Sequence, residues 1–239
     1  MNAAQWHNPV PGSATRGPRL AQRLWGRIRN GLIVQDCLDV LGNFGLVIRP
    51  YFVNVEFGPH PQVPPLPEHC TVRQLTVTDI EEMVRITLRA PTTSDLMKSV
   101  EQYHCVGLFF EGELAAYTWA GIRGVPVPDS RGAQLFDLAS DEAYFFDMYV
   151  APRHRGSRLA GILADSTHEY LIREGRHTFY SLTIAFNRSA RRFKWRLGAR
   201  ELELRLYLHL RWAGLSGVDL RLRRWGPRLR TVGWMRVHG

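Results

Sequence analysis

Between Glu201 and Arg211 every second residue is a leucine: Leu202, Leu204, Leu206, Leu208 and Leu210 alternate with Glu203, Arg205, Tyr207 and His209. A period of two belongs to a strand, with the leucines predicted to form its one buried face. Beyond a turn at 212–217, Val218, Leu220 and Leu222 alternate with Asp219, Arg221 and Arg223 and predict an antiparallel partner. The other rhythm is helical. Leu159, Ile162, Leu163, Ser166, Tyr170 and Leu171 predict a helix over 158–174, which Gly175 stops. Apolar and aromatic runs at 144–150 and 178–186 predict strands on either side of it, and 189–196 reads as a further helix.

Upstream, 71–76 predicts a strand. Thr78 or Asp79 caps a helix running to about Leu88, with Ile80, Met83, Val84 and Ile86 as its apolar positions. Thr93, Ser94 and Asp95 cap a second helix from Leu96 to about Tyr103. Residues 105–110 and 114–120 form a hairpin around Glu111-Gly112, and 124–141 reads as loop. At the N-terminus, residues 1–17 carry Asn, Pro, Gly and Ser, and 18–41 is helical with Leu20, Leu24, Ile28 and Leu32 as one stripe. Gly42 and Gly45 end it. Residues 46–57 alternate loosely as a strand or hairpin arm, and five prolines between Pro59 and Pro67 mark a linker. The organisation expected is an extension at 1–68, a folded domain at 69–225 and a basic tail at 226–239.

The formal charge of +9 narrows the partners. All of the Lys and Arg is arginine except Lys98 and Lys194, so phosphates, acidic substrates, nucleic acid or an anionic membrane face are favoured; genomic base composition explains the arginine equally well. The basic 18–41 helix can contact a membrane surface, although docking on the domain or on a partner chain is the preferred reading. Nucleic acid is disfavoured, because it needs a continuous basic patch interleaved with exposed aromatic residues. A homodimer is compatible with the sequence. Cys37, Cys70 and Cys105 have no paired or metal-ligating spacing, so no metal is expected and a reducing, cytoplasmic setting is the simplest. No uncharged run reaches transmembrane length.

The candidate chemistry lies at 144–160. A strand stops at Pro152, and Arg155-Gly156-Ser157-Arg158-Leu159-Ala160 runs directly into a helix. A helix start offers unpaired amides and the positive end of the backbone dipole, which suits a phosphate. Val150-Ala151-Pro152 followed by Arg155 to Ala160 resembles the acyl-CoA turn of the GCN5-related N-acetyltransferase (GNAT) superfamily, with Arg158 where that family carries a glycine. One helix and one strand further on, Asn187, Ala190, Phe193, Lys194, Leu197 and Gly198 resemble a second segment of that family, with Lys194 at its tyrosine and Ala199 at its following aromatic. The resemblance covers about Thr71 to Arg224.

It implies an α/β (α+β) fold with a mixed, mostly antiparallel central sheet flanked by helices, preceded here by an N-terminal helical extension. It also implies acyl transfer from acetyl-CoA to a primary amine on a small molecule or peptide. The donor would be held by Met148, Val150, Arg155, Gly156, Ser157, Arg158, Leu159, Ala160, Asn187 and Ser189. Asp147 is the preferred base, with Glu142 beside it; Tyr149 and His154 are further candidates. An ammonium at Lys194 can stabilise a departing thiolate, while a lysine there is expected to be solvated; Tyr180 and Tyr207 are other proton sources. Asp95 and Gln102 are candidates for the acceptor wall. Arg158, Lys194 and the basic run from Arg188 to Arg200 keep a second reading open, a non-catalytic basic module of the same fold that binds CoA or an acidic partner.

Overall fold

The computed structural model describes residues 25, 28–29, 31–58, 65–87, 103–126, 134–210 and 217–225. Eight strands form one sheet in the order β10-β9-β1-β8-β7-β4-β3-β2. They are β1 (Leu46–Glu56), β2 (Cys70–Gln74), β3 (His104–Phe110), β4 (Glu113–Gly121), β7 (Glu142–Val150), β8 (Thr178–Ile184), β9 (Arg200–Leu210) and β10 (Val218–Arg224). Every neighbouring pair is antiparallel except β7–β8. The helices are α1 (Leu32–Asn43), α2 (Ile80–Ile86), α3 (Leu159–Arg173) and α4 (Arg188–Arg196).

Alternation sorts the two faces. Val106 and Leu108 of β3 pack with Leu159, Ile162 and Leu163 of α3, while Cys105 and Phe109 pack with Ile80, Met83 and Ile86 of α2. The α2 face continues into Tyr51, Val53, Val55, Tyr144 and Tyr180, where Val125 and Phe136 close the core. These two belong to a small second sheet, β5 (Gly124–Pro126) with β6 (Gln134–Asp137), so the loop expected at 124–141 carries structure. Glu111 (φ 51°) and Gly112 (φ 82°) turn the β3–β4 hairpin with both residues left-handed, the geometry that matches strand twist.

Several expectations change. Of the two caps expected, Asp79 stands at the N-cap of α2 and Thr78 does not; a 3-10 turn ahead of it, Val77–Asp79, is closed by a capping box in which the side chains of Thr76 and Asp79 each bond the other's backbone. Hydrogen bonds from Arg73, together with that capping role, outweigh burial and hold the Asp79 carboxyl at about 2. Helix α1 runs through Gly42 to Asn43, and Gly45 (φ 90°) makes the turn into β1. Residues 18–24, 26–27 and 30 of the predicted 18–41 helix, and 96–102 of the helix expected at 96–103, with Asp95 and Gln102, lie outside the described residues.

The larger correction concerns β1. It lies inside the sheet, paired with β8 from Tyr51↔Ile184 to Glu56↔Phe179 and with β9 from Leu46↔Leu210 to Val55↔Arg200. Residues assigned by sequence to an extension therefore supply an interior strand. Over residues 203–208 of β9 the leucines are the less buried, although Leu202 before them is buried. Glu203, Arg205 and Tyr207 are buried, while Leu204, Leu206 and Leu208 are half-buried. The charges are tolerated because they are paired: Arg205 bonds Glu203 (2.8 Å) and Asp219 (2.7 Å), and Tyr51 donates to Asp219 (2.8 Å). Periodicity identifies two faces but not which is inside when a polar face is fully paired.

A chain beginning at residue 69 lacks the common neighbour of β8 and β9. It is expected to be unable to fold, and circular dichroism together with amide dispersion in NMR would check this; a cooperative, native-like melt would show that β1 is dispensable.

Candidate active site

Strands β7 and β8 run parallel and pair from Glu142↔Thr178 to Phe145↔Ser181, where the pairing ends. Beyond that point β7 continues to Val150 beside β4, while β8 continues to Ile184 beside β1. A wedge opens between the two strands, and its β7 edge has no strand partner from Phe146 to Val150. The same stretch holds a β-bulge. Phe146 faces Trp119 and Tyr149 faces Tyr117, so Asp147 and Met148 together oppose Thr118. Asp147 sits at φ 50°, a left-handed conformation that Asp tolerates better than most residues. The bulge takes backbone amides out of the ladder and re-aims the Asp147 side chain. Asp147 is exposed at the surface, yet it lies where partial loss of solvent raises its carboxyl above the usual range.

Past Val150 a 3-10 turn, Pro152–His154, leads to Gly156 and then to α3. Gly156 has φ 82° and open space around it, so the requirement for glycine here is conformational. Arg158, by contrast, has φ −81° and ψ −4°, ordinary right-handed backbone, and its side chain is exposed. An arginine at that position therefore costs no backbone strain. Ser157 Oγ accepts from the Leu159 amide at 3.3 Å and donates to His154 O at 2.5 Å. Arg155 donates to Val150 O (3.2 Å), and its guanidinium lies 5.5 Å from the centre of the Tyr149 ring. The positive end of α3 thus opens at the end of the unpaired β7 edge.

The predicted residues divide between faces. Met148 and Val150 pack toward α3, with Leu159; Tyr149 packs toward α2 and stacks on Tyr117. Tyr149 and Lys194 are therefore on opposite faces of the sheet. Asn187 caps α4, accepting from the Ala190 amide at 3.0 Å. Ser189 is exposed on the first turn of α4. His154 is in the turn, where burial and the nearby Arg153 lower its pKa. Glu142 accepts from Tyr180 (3.1 Å) and from the Ala139 amide (2.8 Å), and Tyr207 lies away in the β1–β9 core.

Lys194 is not the solvated lysine expected. Its side chain is 17% exposed, and its ammonium bonds Glu56 of β1 at 2.6 Å. Ser181 of β8 donates to the same Glu56 oxygen at 2.6 Å, and His168 of α3 lies 3.8 Å from the other oxygen. Burial disfavours the Glu56 charge, but Lys194, His168 and the hydrogen bonds from Lys194 and Ser181 outweigh it and hold the carboxyl below its ordinary range. The cluster sits where β7 and β8 part, bridging β1, β8, α3 and α4. The sequence reading missed Glu56, because it lies upstream of the resemblance. Its signal was an acidic residue inside the largely apolar run Tyr51–Phe57, on the same strand face as Asn54. Just beyond, Gly58 passes so close to His168 that a Cβ would lie 2.5 Å from the ring, so the chain can leave β1 only through a glycine.

Glu56→Gln strands the Lys194 charge in a mostly buried site and is expected to cost about 3 kcal/mol of stability in urea unfolding; Lys194→Met in the same chain should recover much of it. Because the folded pKa of Glu56 is depressed, its contribution is present above the ordinary carboxylate range and is lost on acidification through the folded value. The Glu56→Gln variant should therefore show a flatter stability profile at acid pH than the parent.

The sequence profile of the acetyltransferase (GNAT) family matches residues 75–199, just over half of the chain. No curated protein matches it. Among solved structures, a Drosophila protein is 17% identical with a TM-score of 0.51, over 74% of this chain and 57% of its own. A GNAT-family protein from Novosphingobium aromaticivorans is 24% identical with a TM-score of 0.47, over 66% and 63%. The ribosomal-protein-S18-alanine N-acetyltransferase of Escherichia coli is 17% identical with a TM-score of 0.43, over 67% and 98%. The chain spans less than two thirds of the first two, and at these identities the likeness concerns fold alone. The profile match spans the wedge, the turn before α3 and the whole of α4, and on that ground the chain belongs to the GNAT acetyltransferase family.

Proposed function

We propose that this protein transfers an acyl group, most simply acetyl, from acetyl-CoA to a primary amine by direct attack. The observation that carries the reading is the wedge between β7 and β8, with a bulge on its open edge and a phosphate-compatible turn at its end. The donor's pyrophosphate lies at the turn, on the amides around Gly156 to Ala160 and the Arg155 and Arg158 guanidinium groups, with Ser157 and Leu159 at the helix start beside them. Its pantetheine arm completes the β7 edge at Met148 and Val150, displacing Arg155 from Val150 O. Asn187 and Ser189 flank it from α4.

The amine nitrogen attacks the thioester carbon. A C–N bond forms, and charge develops on the carbonyl oxygen, where an amide freed by the bulge near Met148–Tyr149 donates to it. The C–S bond then breaks and the sulfur leaves as thiolate. Asp147, through water, takes the proton the amine must lose. Desolvation, which raises its pKa, makes it a stronger base than an ordinary carboxylate. Lys194, anchored by Glu56, supplies positive charge from α4 that favours the thiolate, and Tyr149 lines the acceptor side. The acceptor is a small-molecule or peptide amine. The free thiols of Cys37, Cys70 and Cys105 suit a reducing cytoplasm.

Isothermal titration with acetyl-CoA and CoA is the direct check, followed by a screen of amines for thiol release. Saturable binding of both is expected; a folded sample that binds neither rules out the donor site. Gly156→Glu is expected to abolish acetyl-CoA binding, since it sets a carboxylate at the pyrophosphate and a Cβ at a left-handed position. Asp147→Asn should lower kcat by about 100-fold with little change in donor affinity. In the parent enzyme the acid limb of the kcat–pH profile should fall above the ordinary carboxylate range and vanish in Asp147→Asn. Removing a carboxyl whose folded pKa is raised should leave the variant no less stable at neutral pH.

A further inference from the structure

The basic run at the start of α4 has no part in the chemistry above. Arg188, Arg192 and Arg200, with Trp195, line a cavity of about 410 Å³ bounded by α4, β1 and the start of β9. Lys194 also lines it and is shared with the donor site, but no residue of β7, of the turn before α3 or of α3 contributes to its wall, so it lies beside the donor wedge rather than in it. We propose that this cavity binds a nucleoside phosphate.

Its charges are the first argument. Two of its cations are matched: Arg191 pairs with Glu201 at 2.8 Å, and Lys194 pairs with Glu56. Arg188, Arg192 and Arg200 have no carboxylate partner among the described residues. Arg188 and Arg192 are four apart on one helix, where like charges repel. No carboxylate among the described residues relieves this, and an anion would. Guanidinium groups present forked donors that fit phosphate oxygens two at a time.

The indole is the second argument. Trp195 is 79% exposed beside these arginines. A tryptophan left in water at the mouth of a cationic cavity offers a flat surface on which a planar base can stack. The far wall is fixed rather than yielding, because Asn54 is buried and its amide bonds Thr183 Oγ1 at 3.0 Å and Ser181 O at 3.2 Å. The volume lies within the range of small-ligand sites and suits one nucleotide rather than a polymer.

The test is calorimetric titration of the full chain with ATP, pyrophosphate, acetyl-CoA and a ten-nucleotide RNA, repeated on Arg192→Glu/Arg200→Glu, Trp195→Ala and Gly156→Glu, with melting curves as fold controls. ATP should bind saturably, and pyrophosphate about tenfold more weakly, because it lacks the stacking base. Trp195→Ala should bring ATP down to the pyrophosphate level. Arg192→Glu/Arg200→Glu should abolish ATP binding and spare acetyl-CoA, whereas Gly156→Glu should do the reverse. ATP binding lost only in Gly156→Glu would mean that nucleotides enter the donor turn, and would overturn the proposal. Equal affinity for ATP and pyrophosphate would reduce the cavity to a general anion patch, and binding of RNA without ATP would assign it to a polymer; either result also overturns it. Should the double charge reversal fail to fold, Trp195→Ala still decides, through the ATP-to-pyrophosphate ratio.

Discussion

Strands β8 and β9 both turn an edge toward the same gap, and β1 fills it. Six residues of β1, Tyr51 to Glu56, pair with β8, and all but the last of its residues, Leu46 to Val55, pair with β9. Backbone groups buried in a sheet must find partners, so the positions of β8, and through it of the wedge, depend on this insertion. The strand also delivers side chains to both layers. Tyr51, Val53 and Val55 enter one core, while Asn54 and Glu56 lie under α4. A segment upstream of the family-matched region thereby shapes the floor beneath it.

The two faces of β1 treat charge in the same way. On one, Arg205 is held by Glu203 and Asp219, with Tyr51 closing the group. On the other, Lys194 and Ser181 meet Glu56. Buried charges of this kind are costly to expose to a missing partner and contribute little net stability when complete. What they do supply is geometry. Glu56 fixes the second turn of α4 over the place where β7 and β8 part, and so ties the helix carrying Asn187 and Ser189 to the strand pair that forms the wedge.

The fold was legible where local pattern and tertiary role agree. The run of strand, turn and helix from Tyr144 to Arg173, and the hairpin around Glu111-Gly112, follow from apolar spacing and turn chemistry. The position of β1 was not legible, because strand pairing between segments as far apart as Tyr51 and Ile184, or Leu46 and Leu210, leaves no mark in either strand's own sequence. Neither was the inward face of β9, where paired charges reverse the usual rule. In the candidate site, Gly156 was readable from the turn it makes. The left-handed backbone of Asp147 was not, since it arises from a register mismatch with β4. Lys194 looked like a solvent-facing residue because its partner, Glu56, lies 138 positions away.

The place of β1 in the sheet also sets an order of events during synthesis. The strand leaves the ribosome early, yet both of its neighbours, β8 and β9, emerge only after residue 178. Until then its apolar face and two unpaired edges are open, and its pairing must wait for contacts of very long sequence separation. Folding is therefore completed late, once the C-terminal strands have been made, with the apolar strand unpaired until then. A chaperone that holds residues 46–56 until the C-terminal strands appear would raise the yield of folded protein, where one acting only on the finished chain would come too late.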